Sequence, residues 1–143
     1  MKHFHLILFV SLTAFFFSAC ATRQANIPEN LSAAELIQRA QEALDRNRFG
    51  VALQHYQALL DRNIGRDDIV SRGLVAEAEY GIAHIHFRQG NFVLARDKFN
   101  ALLERYAAPG GEDLPPQFEV LARRVLQLID EREENRRNQR RRR

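Results

Sequence analysis

The sequence predicts an all-α fold, and three observations support that prediction. Apolar residues recur at a spacing close to 3.6 between residues 32 and 130, and no stretch alternates with a period of two. Gly, Asn and Pro interrupt this pattern at short intervals, as turns between helices do. Two predicted helix pairs also repeat the same residue pattern at a distance of 43 residues. Together these features indicate a short array of helical hairpins.

The first two helices are predicted over residues 33–46 and 49–62. Ser32 is suited to cap the first helix, because Glu35 follows three residues later and completes a capping box. A turn at Asn47 and Arg48 separates the two helices. Their apolar stripes consist of Leu36, Ile37, Ala40, Ala43 and Leu44, then of Ala52, Leu53, Tyr56, Leu59 and Leu60.

Three further helices follow. Asp67 and Asp68 place negative charge at the start of the third, which favours the positive end of its dipole, and this helix extends to about Arg88. The fourth is predicted over residues 92–106. The fifth follows Pro115 and Pro116 and covers residues 117 to about 135. The stripes include Leu94, Ala95, Phe99, Leu102 and Leu103 in the fourth helix, and Phe118, Leu121, Ala122, Val125, Leu126 and Ile129 in the fifth.

The repeated pattern resembles the tetratricopeptide repeat (TPR) family. In that family a small residue lies where the two helices of a repeat cross, and aromatic residues flank the crossing. The matching positions are Ala40, Phe49, Ala52 and Tyr56 in the first copy, and Ala83, Phe92, Ala95 and Phe99 in the second. Alanine lets two backbones approach closely while the aromatic rings fill the space beside them. The resemblance implies a right-handed α-α superhelix of about two helix pairs, with a C-terminal capping helix.

Two features depart from the family pattern. The family period is about 34 residues, so about nine residues are inserted here, most simply around residues 61–73. The helix-ending proline of the family is absent from both copies. The fifth helix is expected to cap the second repeat as the first half of a third unit. The alternative is an unrelated helical bundle with a similar spacing.

The resemblance also implies a binding surface. In TPR proteins the first helices of successive repeats line a concave groove that holds a peptide. The corresponding positions are Ile37, Gln41, Asp45, Glu77, Tyr80, His84 and Arg88, with Ala34, Leu44 and Phe87 beside them. Mixed apolar and charged side chains suit a protein ligand. The alternative is that the fifth helix covers this face, which then has no ligand of its own.

Catalysis finds no support in the sequence. The motifs of nucleophilic hydrolases, zinc proteases and nucleotide-binding loops are absent. His84 and His86 are two residues apart on a helix and so face different directions, which disfavours a shared metal. Glu77 and Glu79 diverge for the same reason. We therefore expect no enzyme, no metal site and no cofactor.

The N-terminal segment indicates export and lipidation. Lys2 precedes an apolar run of about a dozen residues, which suits a signal peptide but is short of the ~20 needed to span a bilayer. The run ends at Phe17-Ser18-Ala19-Cys20, which resembles the bacterial lipobox, with Phe17 in place of the usual Leu. Cys20 is the one cysteine of the chain. The alternatives are an uncleaved anchor and a plain cleaved signal.

This segment sets the expected domain organisation: a signal peptide over residues 1–19, a tether over 20–31, a TPR-like domain over 32–130 and an Arg-rich tail over 131–143. Residues 30–130 contain 12 Lys or Arg and 14 Asp or Glu, whereas the tail contains 7 Arg and 3 Glu. The basic character of the chain therefore belongs to the tail. A solvated terminus and contact with anionic lipid are both open for the tail, and nucleic acid is disfavoured because aromatic residues are absent.

These expectations combine into a function. A lipobox, a short tether and TPR repeats resemble the BamD family of outer-membrane assembly lipoproteins. The resemblance implies an adaptor anchored through Cys20, facing the periplasm at the outer membrane, with protein partners that include the β-barrel assembly machinery. The alternative is a structural envelope protein whose basic tail contacts anionic lipid, with no peptide ligand.

Overall fold

The computed structural model describes residues 27–143, which form five α-helices joined by short turns. The all-α prediction is confirmed, and no strand occurs within this range. The predicted signal peptide and Cys20 lie outside the described residues. The helices are α1 (Ala33–Asp45), α2 (Phe49–Asn63), α3 (Ile69–Arg88), α4 (Phe92–Ala107) and α5 (Pro116–Arg141), with a 3-10 turn at Gly111–Asp113.

Side-chain caps fix the starts of α1 and α3. The Ser32 hydroxyl accepts the Glu35 amide at 3.2 Å, and the Glu35 carboxylate accepts the Ser32 amide at 2.8 Å, which completes the predicted capping box. Asp68 accepts the Ser71 amide at 2.9 Å. These hydrogen bonds lower the pKa of the Glu35 and Asp68 carboxyls. Both acids therefore stabilise the helix starts in their charged form.

The two turns within the repeats have the same backbone structure. Asn47 and Gly90, 43 residues apart, both adopt positive φ, at 54° and 79°. The next amide then reaches back five residues, from Arg48 to the Ala43 carbonyl (2.8 Å) and from Asn91 to the His86 carbonyl (2.9 Å). This is the 6→1 bond of a Schellman motif, which ends a helix and reverses the chain. The 43-residue repeat is thus present in the backbone as well as in the side chains.

Successive helices pack side by side, and α3 lies at the centre of the stack. One hydrophobic cluster joins α1, α2 and α3, and a second joins α3, α4 and α5. α3 supplies Ile82 and Ile85 to the first cluster, and Ala76 and Ala83 to the second. A helix that is buried on two sides has no single apolar stripe. The architecture is that of the helix-pair superhelix expected from the repeats.

Equivalent positions of the two repeats have equivalent burial. The small residues at the helix crossings are fully buried, at 0% exposure, and the rings beside them at 2% or less. The buried pairs are Ala40 and Ala83, Ala52 and Ala95, Tyr56 and Phe99, and Leu59 and Leu102. Phe49 and Phe92, which open the second helices, are half-buried. These positions hold the helices close together, as alanine-mediated crossings do.

The residues inserted relative to the family period are mostly helical. α3 begins 14 residues before Ala83, whereas α1 begins seven residues before the equivalent Ala40. The extra seven residues correspond to about two helical turns. Residues 64–68 form the remaining connection. The insertion therefore lengthens α3 at its N-terminal end, which follows α2.

α5 packs on the second repeat as the first helix of a third repeat would. Ala122 is fully buried against the cluster that contains Ala83 and Ala95. The helix continues to Arg141, six residues past the predicted end, and Arg96 of α4 contacts both Asp130 (2.7 Å) and Glu133 (3.2 Å) along it. No helix within residues 27–143 combines the length and apolar character needed to cross a membrane.

Two residues of the predicted stripes face solvent instead. Leu94 and Leu121 are 42% and 43% exposed, while the alanines that follow them, Ala95 and Ala122, are 0% exposed. Adjacent helical residues point about 100° apart, so only one of each pair can face the neighbouring helix. The close approach of the helices selects the alanine.

Candidate peptide-binding groove

Tyr56 forms the floor between α1 and α3. Its ring lies against Gly81 of α3, where an added Cβ would be 2.6 Å from the ring. Its hydroxyl accepts a hydrogen bond from the Gln41 side chain of α1 at 2.5 Å. Burial, with the charge of Glu77 as a smaller cause, raises the pKa of Tyr56 to about 12. The hydroxyl therefore stays protonated and able to donate at neutral pH.

Glu77 lies at this floor with its carboxylate unpaired. It is one turn before Gly81, on the side of α3 that meets Tyr56, and it is half-buried. Within residues 27–143 it has neither a hydrogen bond nor an ion pair. Burial raises its pKa. A half-buried carboxylate without a partner is costly, so a cationic or hydrogen-bond-donating ligand group here would relieve that cost.

Arg88 closes the groove at the other end of α3. Its guanidinium donates to the Asn47 side chain (2.8 Å) and to the Leu44 carbonyl (3.4 Å), and it lies over the Phe49 ring at 5.5 Å. These contacts link the end of α3 to the turn that follows α1. The positive charge of Arg88 is thus fixed in place while its side chain stays exposed.

The remaining predicted positions on α1 differ in exposure. Ile37 is half-buried and contributes to the first cluster, while Gln41 and Asp45 are exposed. Five of the seven predicted groove residues therefore lie together on one surface. We call this surface the α1–α3 face: Ile37, Gln41, Asp45, Glu77 and Arg88.

The other two predicted groove residues, Tyr80 and His84, lie in a row of rings. Tyr80 stacks on His84 with centroids 5.8 Å apart, and His84 on Phe87 at 6.2 Å. α5 contacts both ends of the row, because Phe118 lies 5.6 Å from Tyr80 and Arg132 lies 5.2 Å from the Phe87 ring. The fifth helix therefore covers this part of the predicted groove and leaves the α1–α3 face accessible.

Both histidines of α3 are half-buried. Burial lowers the pKa of His84, and the nearby Arg88 lowers it further. Burial also lowers the pKa of His86, with Lys98 as a second cause, and the His86 Nδ1 is buried without a hydrogen bond. Both shifts favour the neutral form of the rings at pH 7.

Three contributing residues were not predicted as part of the site: the Tyr56 hydroxyl, Phe118 and Arg132. Tyr56 was expected only to pack, since a sequence pattern does not show where its hydroxyl group lies or which residue it binds. Phe118 was assigned to the apolar stripe of the fifth helix, but no residue that it contacts was predicted. Arg132 was placed in the tail. Each depends on how α2 or α5 lies against α3, which spacing along one helix does not specify.

The part of the chain from residue 27 onward has no group of three or more His, Cys, Asp or Glu residues that could hold a metal ion. Glu79, near Glu77 in sequence, faces elsewhere and is held by Arg105 through two hydrogen bonds of 2.9 and 2.7 Å. The two carboxylates are therefore not a catalytic pair.

Comparison with known proteins adds the family context. A family model described as tetratricopeptide repeat matches residues 37–112, just over half of the chain. A relative in Treponema pallidum (strain Nichols), described as an uncharacterized protein, is 34% identical over 109 residues. That match covers 75% of this chain and 42% of the relative, so the chain spans less than half of the relative's length. No solved structure matches the chain significantly.

Proposed function

The chain belongs to the tetratricopeptide repeat family, and from that premise we propose that it is a lipid-anchored adaptor of the bacterial envelope. Its repeats are a protein-interaction module. The proposal adds that the partner binds the α1–α3 face and that Cys20 attaches the module to a membrane. We propose no catalytic step for this chain.

The unpaired carboxylate of Glu77 is the observation that supports a partner at the α1–α3 face. The nearby Gln41 amide and Arg88 guanidinium already donate elsewhere, to Tyr56 and to Asn47. Glu77 is half-buried beside them and has no partner within residues 27–143. A lysine or arginine of a bound peptide would pair with it in a partly desolvated setting, where an ion pair is stronger than at an open surface. The partner should therefore present a basic residue.

The lipobox-like segment supports the membrane anchor. Phe17-Ser18-Ala19-Cys20 follows an apolar run, and a diacylglycerol on the Cys20 sulfur with a further acyl chain on its amine would hold the protein stably. We propose the outer membrane, facing the periplasm, as the location. Proteins of the β-barrel assembly machinery are the first partners to test, because a lipobox followed by TPR repeats is the arrangement of BamD.

Crosslinking in cells tests the partner proposal. Envelope proteins are crosslinked, solubilised in detergent and recovered through this chain, from cells with the natural sequence or with Glu77→Gln. We expect a defined partner whose recovery falls about tenfold in Glu77→Gln. Glu104→Gln is the matched control, because Glu104 is an exposed acid on α4, and it should leave recovery unchanged. If Glu77→Gln recovers as much partner as Glu104→Gln does, a partner at Glu77 is refuted.

Mass spectrometry of the purified chain tests the anchor separately. The expected product begins at Cys20 and bears acyl chains on the sulfur and the amine. A chain that begins at Met1, or one with an unmodified Cys20, would refute the anchor without affecting the assignment of the α1–α3 face.

A further inference from the structure

The last turns of α5 have their arginines on one side. The helix extends to Arg141, and its residues advance by about 100° each. Five arginines and Glu133 then occupy about half of the circumference, while the other acidic and amide side chains occupy the other half. Glu133 is paired with Arg96 of α4. The arginine face consists of Arg132, Arg136, Arg137, Arg140 and Arg141, and the opposite side of Glu131, Glu134, Asn135, Asn138 and Gln139.

These turns lie beyond the contacts that hold α5 to the body. Arg132 lies over the rings of Phe87 and Phe92 at 5.2 and 5.5 Å, and Glu133 binds Arg96. From residue 134 onward every side chain is exposed. Within the described chain, Arg136, Arg137, Arg140 and Arg141 have no hydrogen bond or ion pair. These four arginines are therefore free to pair with an anionic ligand.

The composition of this segment limits the ligands that it can recognise. Residues 130–143 contain no apolar or aromatic side chain. The segment therefore cannot insert into hydrocarbon, fill an apolar pocket or stack on nucleobases as single-stranded nucleic-acid sites do. Recognition must depend on charge and on guanidinium hydrogen bonds, which match phosphate oxygens well.

We propose that the arginine face of α5 binds the anionic headgroups of a phospholipid surface. A straight helix with its cations on one side can bring several of them to a flat surface at once. Arg132 is held over the Phe87 and Phe92 rings, so the contact is made by the four arginines from Arg136 to Arg141, which span about 8 Å of the helix. Each basic residue held close to an anionic membrane raises its partition by roughly fivefold. Together the arginines would hold this end of the protein at the membrane at moderate salt.

This contact lies at the opposite end of the body from the tether. Arg62, near the end of α2, donates to the carbonyls of Pro28 (3.0 Å) and Leu31 (2.7 Å), so the described end of the tether lies there. Arg96 at the start of α4 marks the other end, where α5 continues outward. With both attachments, the body would lie along the membrane. This orientation rests on the proposed Cys20 anchor, whereas lipid binding by the arginine face does not.

Energy transfer from one introduced tryptophan tests the proposal, because the chain has no natural tryptophan. Gln139→Trp places a donor next to Arg140, at the edge of the arginine face. The full chain is combined with vesicles of phosphatidylcholine, or of phosphatidylcholine with one third phosphatidylglycerol, each with a dansyl headgroup acceptor. We expect transfer at least twofold higher on the anionic vesicles in 0.1 M salt. This excess should disappear in 0.5 M salt, where charges are screened within a few ångströms.

Three variants in the Gln139→Trp background define the cause. R136Q/R137Q/R140Q/R141Q should abolish the excess transfer, and the four corresponding lysine substitutions should retain at least half of it. R39Q/R46Q/R48Q/R124Q removes the same charge from exposed arginines elsewhere and should leave the excess unchanged. Equal losses in the two glutamine variants would overturn the proposal, because net charge alone would then explain the attraction.

Two further results separate the possible explanations. A chain that floats with neutral vesicles but shows no excess transfer on anionic ones would refute the arginine-face proposal and leave the anchor intact. A chain that does not float with neutral vesicles would contradict the anchor, while its transfer on anionic vesicles still tests the arginine face. Binding of a 30-nucleotide single strand at 0.15 M salt, without excess transfer on anionic vesicles, would overturn the proposal in favour of nucleic acid.

Discussion

At the residue scale, Gly81 determines how closely α2 and α3 approach. The Tyr56 ring occupies the space that any side chain at residue 81 would need, and both residues are buried. Tyr56 is also the floor of the α1–α3 face through its bond to Gln41. The contact between Tyr56 and Gly81 therefore belongs both to the packing of α2 on α3 and to the candidate binding surface.

We predict that Gly81→Ala destabilises the protein. The new methyl group would lie 2.6 Å from the Tyr56 ring, so the ring or the helix must move, at a cost of about 1–3 kcal/mol. Urea unfolding followed by circular dichroism measures this cost. Gly50→Ala is the matched control, because Gly50 is helical with nothing within 4 Å of its added Cβ. It should stabilise the protein by about 0.5–1 kcal/mol, and a loss of stability there would contradict the steric explanation.

The α3 histidines predict a pH effect. Burial lowers the pKa of both His84 and His86 in the folded protein, so below about pH 6.5 the unfolded chain binds more protons. The free energy of unfolding should therefore fall as the pH drops from about 6.5 towards the lower folded pKa, and these residues should add no slope above pH 7.5. The melting temperatures of the natural chain and of the double variant with His84→Gln and His86→Gln should diverge across this range. Parallel curves would contradict the prediction.

Three pairs of residues that are adjacent in sequence show where an apolar pattern predicts the wrong buried residue. Val51, Leu94 and Leu121 are 38%, 42% and 43% exposed, while the following Ala52, Ala95 and Ala122 are fully buried. Apolar character alone favours burying the larger residue of each pair. Close helix crossings reverse that order, because a small residue lets two backbones approach and gains contacts along both helices. The family pattern identified Ala52 and Ala95, but the apolar stripe did not exclude Leu94 and Leu121.

At the element scale, the helix order, the turns and the bounds of α3 could be predicted, and the length of α5 could not. Capping residues and turn residues are local signals, so Ser32 and Gly90 mark helix ends directly. The inserted residues continue α3 by two turns, and two residues of this stretch, Ser71 and Val75, are buried. α5 extends to Arg141 through a run of charged and polar residues that contains no helix-breaking Gly or Pro.

α5 contributes to the stability of the second repeat. Phe118 contacts Tyr80, and Ala122, Val125 and Ile129 complete the second cluster. We predict that Phe118→Ala lowers the free energy of unfolding by about 2–3 kcal/mol, below the range for a fully buried Phe because this ring is half-buried. Val120→Ala is the control, since Val120 is 65% exposed on the same helix. Similar losses from both variants would contradict the packing of Phe118.

At the scale of the whole molecule, α3 couples the two clusters. Because it contributes residues to both, neither repeat can lose its core without exposing part of α3. A stack of few repeats whose units share an interface should therefore unfold as one unit.

We predict that equivalent core truncations in the two repeats have equivalent global effects. Leu59→Ala and Leu102→Ala, at positions that are 0% and 1% exposed, should each lower the free energy of unfolding by about 2–5 kcal/mol. Calorimetry should show a single transition in both variants, shifted to lower temperature. Two separated transitions in either variant would contradict coupling through α3.

The candidate site could be predicted only in part, because it is a property of the assembled stack. The TPR resemblance placed Ile37, Gln41 and Arg88 on the first helices, and these residues belong to the α1–α3 face. That this face binds a peptide stays a prediction. Coverage of Tyr80 and His84 depends on how α5 lies against α3, through Phe118 and Arg132. No spacing within one helix contains that information.

Site-specific photo-crosslinking in living cells tests the central claim, that the α1–α3 face binds a protein partner. A photoreactive amino acid is placed in turn at Gln41 and Asp45 on this face, and at Asn100 and Glu104 on α4, all of which are exposed. The account predicts the same discrete adduct from Gln41 and Asp45, weakened by Glu77→Gln, and no such adduct from α4. Equal adducts from α4, or none from Gln41 and Asp45, would contradict it.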